Sequence, residues 1–544
     1  MKKQRVPFAA CRGYAQMLII QTVLILTAML CLRNPMQPWF LMVFWKLLIV
    51  FVLTALVFTV VRYLVARFLK QGEKSEKPVK KRLFLTFVFA LLYLGVGAVL
   101  PYMRTPEVSE AYSEQFRVQD YYSDTVSCDR AALLEDNEEA LAERIRMIAN
   151  AGERIVLSTF DFRSDTSGKQ MLAALYDAAE RGVEVQVLMD GMYALLHMEG
   201  NPWFYALACA ENVTIKIYNP INLLTPWTGM SRMHDKYLIA DETAYILGGR
   251  NTFDYFLGGQ DSYKNHDRDM LVCNTGGEES SIYQILDYFK RIWEQEYCKI
   301  WHENTKLSER SRVRNAQKEL RELYDTMRRA HPQWFTPTDY VEKTVSTNKV
   351  TLLSNPTGLY AKEPWVFYGL SELMKNARSE VIIHTPYVMC DDMMYETYTE
   401  VCSKTAEVIM MTNSVANNGN PFGAVDYALN KQKILDTGLR VLEYEGGVSY
   451  HGKSVAVDDR LAIVGSFNAD MKSVYQDTEL MLVADSKELC AQLKTNFESY
   501  QEDAVSASVK EEETDFLSQK EMPLGRRLLR QLISFADPWI RFLL

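Results

Sequence analysis

Two pairs of histidine and lysine stand in matching sequence frames, 217 positions apart. In each frame a lysine follows the histidine by two positions and an aspartate follows the lysine by five: His234, Lys236 and Asp241 in the first, and His451, Lys453 and Asp458 in the second. The chain has only 7 histidines, so two of them in one repeated frame indicate duplication. Imidazole can act as a nucleophile or transfer a proton, and ammonium can bind a phosphate oxyanion. The repeat therefore predicts one site to which each half supplies one histidine.

Apolar, β-prone residues fill both frames and predict a hairpin in each half. Residues 237–240 and 454–457 form the first strands of these hairpins, and residues 244–247 and 461–464 form their partners. Because side chains alternate along a strand, the histidine and the lysine two positions later point to the same side. Each hairpin ends in a Gly-Gly or Gly-Ser pair. An asparagine stands two positions after the second residue of that pair. The predicted phosphate-binding residues are Lys236, Asn251, Lys453 and Asn468.

The two aspartates of the frames allow two interpretations. As members of the repeated motif, Asp241 and Asp458 belong to the predicted catalytic set. Their odd spacing from the lysines, however, turns them away from the histidine side of the strand. That alternation favours a turn or structural role.

The pattern H-x-K-x4-D-x6-G-(G/S)-x-N, occurring twice, resembles that of the phospholipase D superfamily. The second copy, continued to Glu479, is most similar to bacterial cardiolipin synthases. Residues 155–162 with 178–185, and residues 381–387, resemble the openings of the two halves in that family. The resemblance covers about residues 125–500 and implies an α/β fold. Two phospholipase D-type domains related by pseudo-twofold symmetry would follow N-terminal transmembrane helices.

The resemblance also implies a reaction, which is phosphodiester exchange through a phosphatidyl-histidine. His234 would be the nucleophile and His451 the acid and base, although the near symmetry of the halves leaves the reverse assignment open. With the glycerol hydroxyl of a second phosphatidylglycerol as acceptor, the protein would be a cardiolipin synthase that releases glycerol. With water as acceptor, it would be a phospholipase D that produces phosphatidic acid. A nuclease built on the same motif is a third class.

Two carboxylates would complete the site by accepting the second ring N–H of each histidine and fixing its tautomer. The resemblance assigns Asp269 and Glu479 to this role, with Asp267 as a close competitor of Asp269. The other histidines considered, which lack such a context, are His266, His302, His331 and His384. Metal-ligand spacings and nucleotide-binding loops are absent from the sequence, so we expect neither a metal nor a cofactor. The lysines and asparagines would supply the charge stabilisation instead.

The amino-terminal part of the chain predicts a membrane anchor. Residues 17–32, 39–61 and 83–103 are apolar runs, which predicts two or three membrane-spanning helices, with three preferred. Basic residues cluster before the first run and between the second and third, so both clusters are expected in the cytoplasm. Three spans would place the catalytic region outside a bacterial cell membrane. With only two spans it would be cytoplasmic.

Charge is distributed unevenly along the chain. Residues 1–104 carry 15 basic and 2 acidic side chains, whereas the whole chain has a net charge of −9. The remaining 440 residues therefore carry a net charge of about −22. Nucleic-acid binding normally requires a basic face, so this balance argues against a nuclease. It is compatible with the phospholipid substrates that the resemblance implies, held in a local positive pocket.

Two further segments flank the second half. Residues 303–348 are highly charged and helical in pattern, which favours a solvated helical connector. Residues 525–535 alternate basic and apolar faces, which allows either a membrane-surface helix or a helix packed on the core. The predicted regions are an anchor over 1–104, a first half over 105–302, a connector over 303–348, a second half over 349–500, and an acidic loop with a C-terminal helix over 501–544.

Overall fold

The computed structural model describes residues 8–34, 36–68, 79–259, 264–302, 305–508 and 524–544. The chain divides into two compact units. The N-terminal unit consists of Met1–Pro101 with two short later segments, Leu195–Asn201 and Ile221–Met230. The α/β unit consists of Tyr102–Ala194, Pro202–Pro220 and Ser231–Leu544.

Three helices form most of the N-terminal unit: α1 (Phe8–Leu32), α2 (Trp39–Phe68) and α3 (Val79–Val99). Two stretches, Trp39–Val61 and Leu83–Tyr102, are long and apolar enough to cross a membrane, with mean hydropathies of 2.6 and 2.5. The apolar part of α1, Met17–Leu32, is shorter. Helix α1 packs on α2, where Gln21 Nε2 donates to Thr59 Oγ1 at 3.3 Å. A third span, and the side of the membrane that depends on it, stay predictions.

The α/β unit contains the remaining helices and all of the strands in the described part of the chain. The helices are α4 (Glu110–Gln115), α5 (Asn137–Asn150), α6 (Thr166–Glu180), α7 (Gly191–Tyr193), α8 (Pro202–Ala208), α9 (Asp254–Leu257), α10 (Ser281–Trp293), α11 (Ser311–Ala330), α12 (Tyr340–Lys343), α13 (Trp365–Lys375), α14 (Asp392–Lys404), α15 (Pro421–Asp436), α16 (Met471–Tyr475), α17 (Lys487–Gln501) and α18 (Leu524–Ile540). The strands of the first half and connector are β1 (Asp129–Leu134), β2 (Arg154–Thr159), β3 (Glu184–Asp190), β4 (Val213–Tyr218), β5 (Tyr237–Ala240), β6 (Ala244–Gly248), β7 (Asp269–Asn274), β8 (Cys298–Ile300) and β9 (Val345–Ser346). Those of the second half are β10 (Lys349–Ser354), β11 (Glu380–His384), β12 (Val388–Met389), β13 (Glu407–Asn413), β14 (Arg440–Tyr444), β15 (Lys453–Val457), β16 (Leu461–Gly465), β17 (Ala469–Asp470), β18 (Leu480–Asp485) and β19 (Ala504–Ser506).

The two main sheets repeat one topology. The first has the order β8-β4-β3-β2-β5-β6-β7-β1-β9, and the second β10-β18-β16-β15-β11-β13-β14-β19. Read from the parallel edge, β4-β3-β2-β5-β6-β7-β1 corresponds strand for strand to β14-β13-β11-β15-β16-β18-β10. In each sheet three strands are parallel and the hairpin strands are antiparallel. One buried apolar cluster draws residues from both sheets. The predicted duplicated α/β fold is confirmed.

Both predicted hairpins form, as β5–β6 and β15–β16. The turn aspartates Asp241 and Asp458 adopt left-handed φ angles of 53° and 51°. Their carboxylates accept backbone N–H groups at the start of the neighbouring strands β2 and β11: Gly152, Glu153 and Arg154 for the first, and Arg378, Ser379 and Glu380 for the second. They lie in the turns that follow β5 and β15, at the opposite ends of these strands from His234 and His451, which favours the structural one of their two predicted roles.

The connector is packed rather than solvated. Helix α11 lies on α6 and α8 through one buried stripe. The residues of that stripe are Val313, Ala316, Leu320, Tyr324 and Met327. Their spacing of three and four positions places them on one face, which the many charges of the segment obscured in the sequence. The connector also supplies β9, which pairs with β1 at the edge of the first sheet.

Helix α18 has a packed face and an open face. It packs on α15, where Ile533 and Asp537 are buried, and Arg541 just beyond it binds Asp426 at 3.0 Å. Apolar side chains elsewhere on the helix are 47–71 % exposed: Leu528, Leu529, Leu532, Phe535 and Trp539. The buried face fits a helix packed on the core, and the exposed apolar face fits a membrane-surface helix.

Candidate active site

Both motif histidines line one cavity of about 590 Å³ in the α/β unit. His234 lies directly before β5 and His451 directly before β15, so each half presents its imidazole from the equivalent place. The halves are joined here by an isolated bridge between Met233 and Thr478. The two histidines thus lie in one cavity, as the duplicated motif predicts.

Each histidine is held by a carboxylate from the opposite half. His234 Nδ1 lies 2.8 Å from Glu479 Oε1, and His451 Nδ1 lies 2.7 Å from Asp267 Oδ2. Both carboxylates are fully buried. A carboxylate on Nδ1 fixes the ring orientation and favours the tautomer with its proton on Nδ1, which leaves Nε2 for chemistry. Neither half can therefore orient its own histidine.

Asp269 does not orient a histidine, which corrects the assignment made from the sequence. Its Oδ2 accepts from Arg250 Nη1 and Arg144 Nη2, both at 3.0 Å, inside the first half. Asp267, the competitor, contacts His451 instead. The two aspartates are two positions apart on the same side of an extended segment, so alternation could not separate them. The buried ion pair with Asp269 also gives a structural role to Arg250, which stands at the variable position of the first motif.

The glycine pairs of the motif make room for these carboxylates. A Cβ added at Gly249 would lie 2.1 Å from Asp267 Oδ1, so no side chain fits there. In the second half Ser466 replaces this glycine, and its hydroxyl donates to Glu479 Oε2. Ser473 Oγ donates to Glu479 Oε1 at 2.7 Å. The sequence analysis missed both serines, although Ser466 stands inside the motif.

Burial controls the ionisation of the site. It lowers the pKa of Lys236 to about 7 and that of Lys453 to about 8, although nearby carboxylates oppose the change. Burial and the charge of Lys453 lower the pKa of His451 to about 4, against the opposing effect of Asp267. Burial followed by the two lysines also lowers the pKa of His234 well below its ordinary value. The imidazole of His234 is therefore neutral near pH 7.

The lysines lie against the histidines of their own frames. Lys236 Nζ donates to the backbone oxygen of His234 at 2.5 Å. Lys453 Nζ lies 2.8 and 3.2 Å from the two ring nitrogens of His451. Two ammonium groups thus stand beside the imidazoles, where a phosphate oxyanion would need them.

The two asparagines differ in their surroundings. Asn251 lines the cavity, and its Oδ1 accepts from the backbone N–H of Asp161 at 3.3 Å, which directs its amide nitrogen elsewhere. Asn468 donates from Nδ2 to the hydroxyl of Tyr387 at 3.2 Å. Asn251 is thus placed to donate directly to a bound anion, whereas Asn468 already supports a tyrosine of the cavity wall.

Aromatic rings flank the histidines in both halves. Phe160 meets His234 edge to face at 4.9 Å between ring centroids, and Phe256 meets His451 in the same way at 5.0 Å. Both phenylalanines line the cavity, and neither was singled out from the sequence. Apolar rings beside each imidazole restrict water, which strengthens electrostatic interactions there. Among the described residues, no three His, Cys, Asp or Glu side chains are grouped so that they could hold a metal ion.

Comparison with known proteins places this geometry in a family. Residues 144–293 and 370–501, just over half of the chain, match the family described as cardiolipin synthase, PLD-like domain. The chain belongs to this family. Both histidine frames lie within the matched segments, which agrees with the resemblance stated from the motif.

Relatives of known name are distant but extensive. Cardiolipin synthase C of Escherichia coli is 22% identical over 408 residues, covering 68% of this chain and 84% of that protein. Cardiolipin synthase of Clostridium perfringens is 25% identical over 346 residues, covering 62% of this chain and 63% of that protein. The crystal structure of a phosphatidylserine synthase from Haemophilus influenzae matches with a TM-score of 0.55 and 16% identity, over 76% of this chain and 95% of that one. The last likeness shows the fold.

Proposed function

We propose that this chain is a membrane-bound phosphatidyltransferase, a cardiolipin synthase that joins two phosphatidylglycerols and releases glycerol. The observation that carries the proposal is the pair of histidines in one cavity, each oriented by a carboxylate of the other half. Two imidazoles of fixed tautomer provide a nucleophile and an acid for one phosphorus atom. The named relatives of the family support a phospholipid as the substrate.

In the first step His234 Nε2 attacks phosphorus. The phosphorus–nitrogen bond forms as the bond to the glycerol oxygen breaks, and His451 gives a proton to that oxygen. Glu479 accepts the Nδ1–H of His234 and stabilises the positive charge that develops on the ring. In the second step His451 takes the proton from the acceptor hydroxyl, whose oxygen attacks phosphorus and releases His234.

Charge near phosphorus is balanced by the lysines and asparagines. Lys236 and Lys453 supply positive charge, Asn251 supplies an amide donor, and Asn468 acts through the hydroxyl of Tyr387 that it supports. The low pKa of His451 in the empty site would rise when the phosphodiester anion adds negative charge, because a nearby anion favours the protonated ring. Substrate binding therefore favours the protonated form of His451, which is the acid of the first step.

Two other reactions use the same residues. Water as the acceptor would give phosphatidic acid, and a nucleic-acid backbone as the substrate would make the protein a nuclease. The net charge of about −22 beyond residue 104 disfavours the nuclease. The named cardiolipin synthases among the relatives favour transfer over hydrolysis.

The experiment is a product analysis of the purified full chain in phosphatidylglycerol vesicles. We expect equal amounts of glycerol and cardiolipin from the wild type and neither product from His234→Ala or His451→Ala. His331→Ala, which changes a histidine stacked on Trp334 outside the cavity, is the matched control and should retain activity. Phosphatidic acid as the sole lipid product would reject the synthase, and cleavage of DNA with inert lipid would establish the nuclease.

The assignment of the two histidines is tested with a lipid whose leaving group, p-nitrophenol, needs no acid. With this donor His451→Ala should still form an acid-labile phosphatidyl adduct that survives denaturation, while His234→Ala should form none. The opposite pattern would exchange the two roles. The absence of an adduct in every variant would argue for a non-covalent mechanism.

A further inference from the structure

The cavity wall beside His451 is built from neutral polar side chains. An isolated bridge joins His266 to Tyr450, with the backbone N–H of His266 donating to Ser449 O at 2.9 Å. Asn265 and Ser449, which precede the bridged residues, both line the cavity. Because residues two apart in an extended segment share a side, Ser449 lies on the same side as His451. Asn265 and Ser449 therefore line the part of the cavity that contains His451, the acid and base of the proposed reaction.

A loop of the second half brings a third neutral side chain to the same wall. Asn418, in the loop that follows β13, lines the cavity. A Cβ added at its neighbour Gly419 would lie 3.5 Å from Ser449 Oγ and 3.6 Å from the hydroxyl of Tyr255. The loop thus lies directly against Ser449.

Two polar atoms of this wall are buried without a protein partner. Asn265 is 5 % exposed, and its Oδ1 accepts no hydrogen bond from the residues that the structure describes. Within the same described part of the chain, Asn418 Nδ2 finds no acceptor, although Asn418 Oδ1 accepts from the backbone N–H of Asn420 at 2.9 Å. Buried polar groups are normally paired, so an unpaired acceptor and an unpaired donor on one wall point to a ligand. Hydroxyl groups both donate and accept, so the hydroxyls of one polyol have the chemistry to pair with an acceptor and with a donor.

We propose that Asn265, Asn418 and Ser449 form a subsite for the hydroxyl groups of the alcohol, a neutral polyol such as glycerol. This inference rests on the proposed function and specifies its alcohol. The nucleophile and the alcohol occupy opposite sides of phosphorus in an in-line displacement, so the alcohol lies on the side of His451. The departing glycerol and the incoming glycerol headgroup use the same subsite in turn.

A charged alcohol fits this wall less well. Serine would bring a carboxylate and an ammonium group, which need partners of opposite charge. The charged side chains that line the cavity are engaged within the protein: Arg163 binds Asp161 at 2.6 Å, and Asp165 accepts the backbone N–H groups of Gly168 and Asp254. In the second step the reacting hydroxyl loses its proton to His451 as its oxygen bonds to phosphorus and the bond to His234 breaks. A second hydroxyl of the polyol remains for the asparagines.

The test separates the two half-reactions by using phosphatidyl-p-nitrophenol as donor with the full chain in detergent micelles. The burst of nitrophenolate reports the first step, and the products with mixed glycerol and ethanol report the choice of acceptor. We expect Asn418→Ala and Ser449→Ala to keep the burst within about twofold but to lower the preference for glycerol about fivefold to tenfold, the effect of one lost hydrogen bond. Asn150→Ala, an exposed asparagine on α5, is the control and should change neither.

Unchanged acceptor preference in both variants would overturn the subsite. A wild-type enzyme that releases no nitrophenolate from this donor would instead remove the proposed function. If the variants fail to fold, the wild type alone decides: glycerol should be used at least severalfold better than 1-propanol and better than serine. Equal use of glycerol and 1-propanol, or a preference for serine, would contradict the inference.

Discussion

The two buried lysines hold charges that the protein interior disfavours. Burial lowers the pKa of Lys236 to about 7 and that of Lys453 to about 8, so Lys236 loses its proton near neutral pH and Lys453 about one pH unit higher. Only the protonated amines attract the lipid phosphate. The ability to bind substrate should therefore be present at pH 6–7 and decline as the pH rises through these values.

We predict that kcat/KM of the wild type falls above about pH 7, mainly through a rise in KM. Lys236→Arg should have a lower kcat but a weaker alkaline decline, because a guanidinium keeps its proton. The measurement is the pH profile of kcat/KM, which reports the free enzyme. A wild-type profile that is flat to pH 10 would show that the lysines keep ordinary pKa values.

Substitution of Asp267 should lower activity, whereas substitution of Asp269 should lower stability. Asp267→Asn removes the charge that fixes His451, and the comparable change in a serine-protease triad costs about 10⁴-fold in kcat. We expect a loss of roughly 10²–10⁴-fold with little change in thermal stability. Asp269→Asn should instead lower stability by roughly 3 kcal/mol, because it leaves the buried Arg250 short of a counter-charge. The measurements are kcat and the melting temperature of both variants. A loss of stability in Asp267→Asn together with a loss of kcat in Asp269→Asn would contradict these roles.

At the scale of elements, the hairpins depend on their turn aspartates. Asp458 accepts three backbone N–H groups and the hydroxyl of Ser379. Although partial burial opposes the change, these hydrogen bonds hold the pKa of Asp458 below its ordinary value of 3.8. A depressed carboxyl pKa stabilises the fold above that value, and this contribution disappears as the pH falls below it.

Asp458→Ala should therefore lower the free energy of unfolding by about 1–3 kcal/mol at pH 7. The difference from the wild type should shrink below about pH 4, where the unfolded carboxyl gains a proton while the folded carboxyl is still ionised. Asp458→Asn, which keeps an acceptor and tolerates the left-handed φ, should lose less. Unfolding curves at pH 7 and pH 3.5 measure this, with activity per folded molecule as the control. A large loss of that activity would return Asp458 to the catalytic set.

Helix α18 makes a second prediction at this scale. Trp539 is 63 % exposed on the helix whose other side packs on α15. A membrane-surface helix would place this ring among acyl chains. In vesicles of brominated lipid we expect the full chain to show more fluorescence quenching than Trp539→Phe, because Trp39 and Trp45 of α2 contribute equally in both proteins. Equal quenching in both proteins would leave packing on α15 as the only role of the helix.

For the whole molecule, the number of spans decides the side on which the α/β unit lies. Three spans with both basic clusters in the cytoplasm would place the chain after residue 103 outside. A reporter that is active only outside the cytoplasm, fused after residue 110, should therefore be active. The matched fusion after residue 72, between the second and third apolar runs, should be inactive. A reporter after residue 110 that works only in the cytoplasm would establish two spans.

Sequence periodicity was sufficient for the parts of the fold that are local. The hairpins of both frames and the shared site of His234 and His451 followed from alternation and duplication. The connector was misjudged because charged residues dominate α11, while the apolar stripe that packs on α6 covers only one face. Alternation already favoured a turn role for Asp241, but its place in the repeated motif led to its inclusion in the predicted catalytic set.

The sequence by itself determined that the chain is duplicated, which residue types recur in both halves, and that each half contributes a histidine to one site. Only the tertiary structure decided which carboxylate serves which histidine. Glu479 reaches His234 and Asp267 reaches His451 across the two halves, over separations of 245 and 184 residues. Alternation along one strand can say which side a residue faces, but it contains no information about what a different sheet brings against that side.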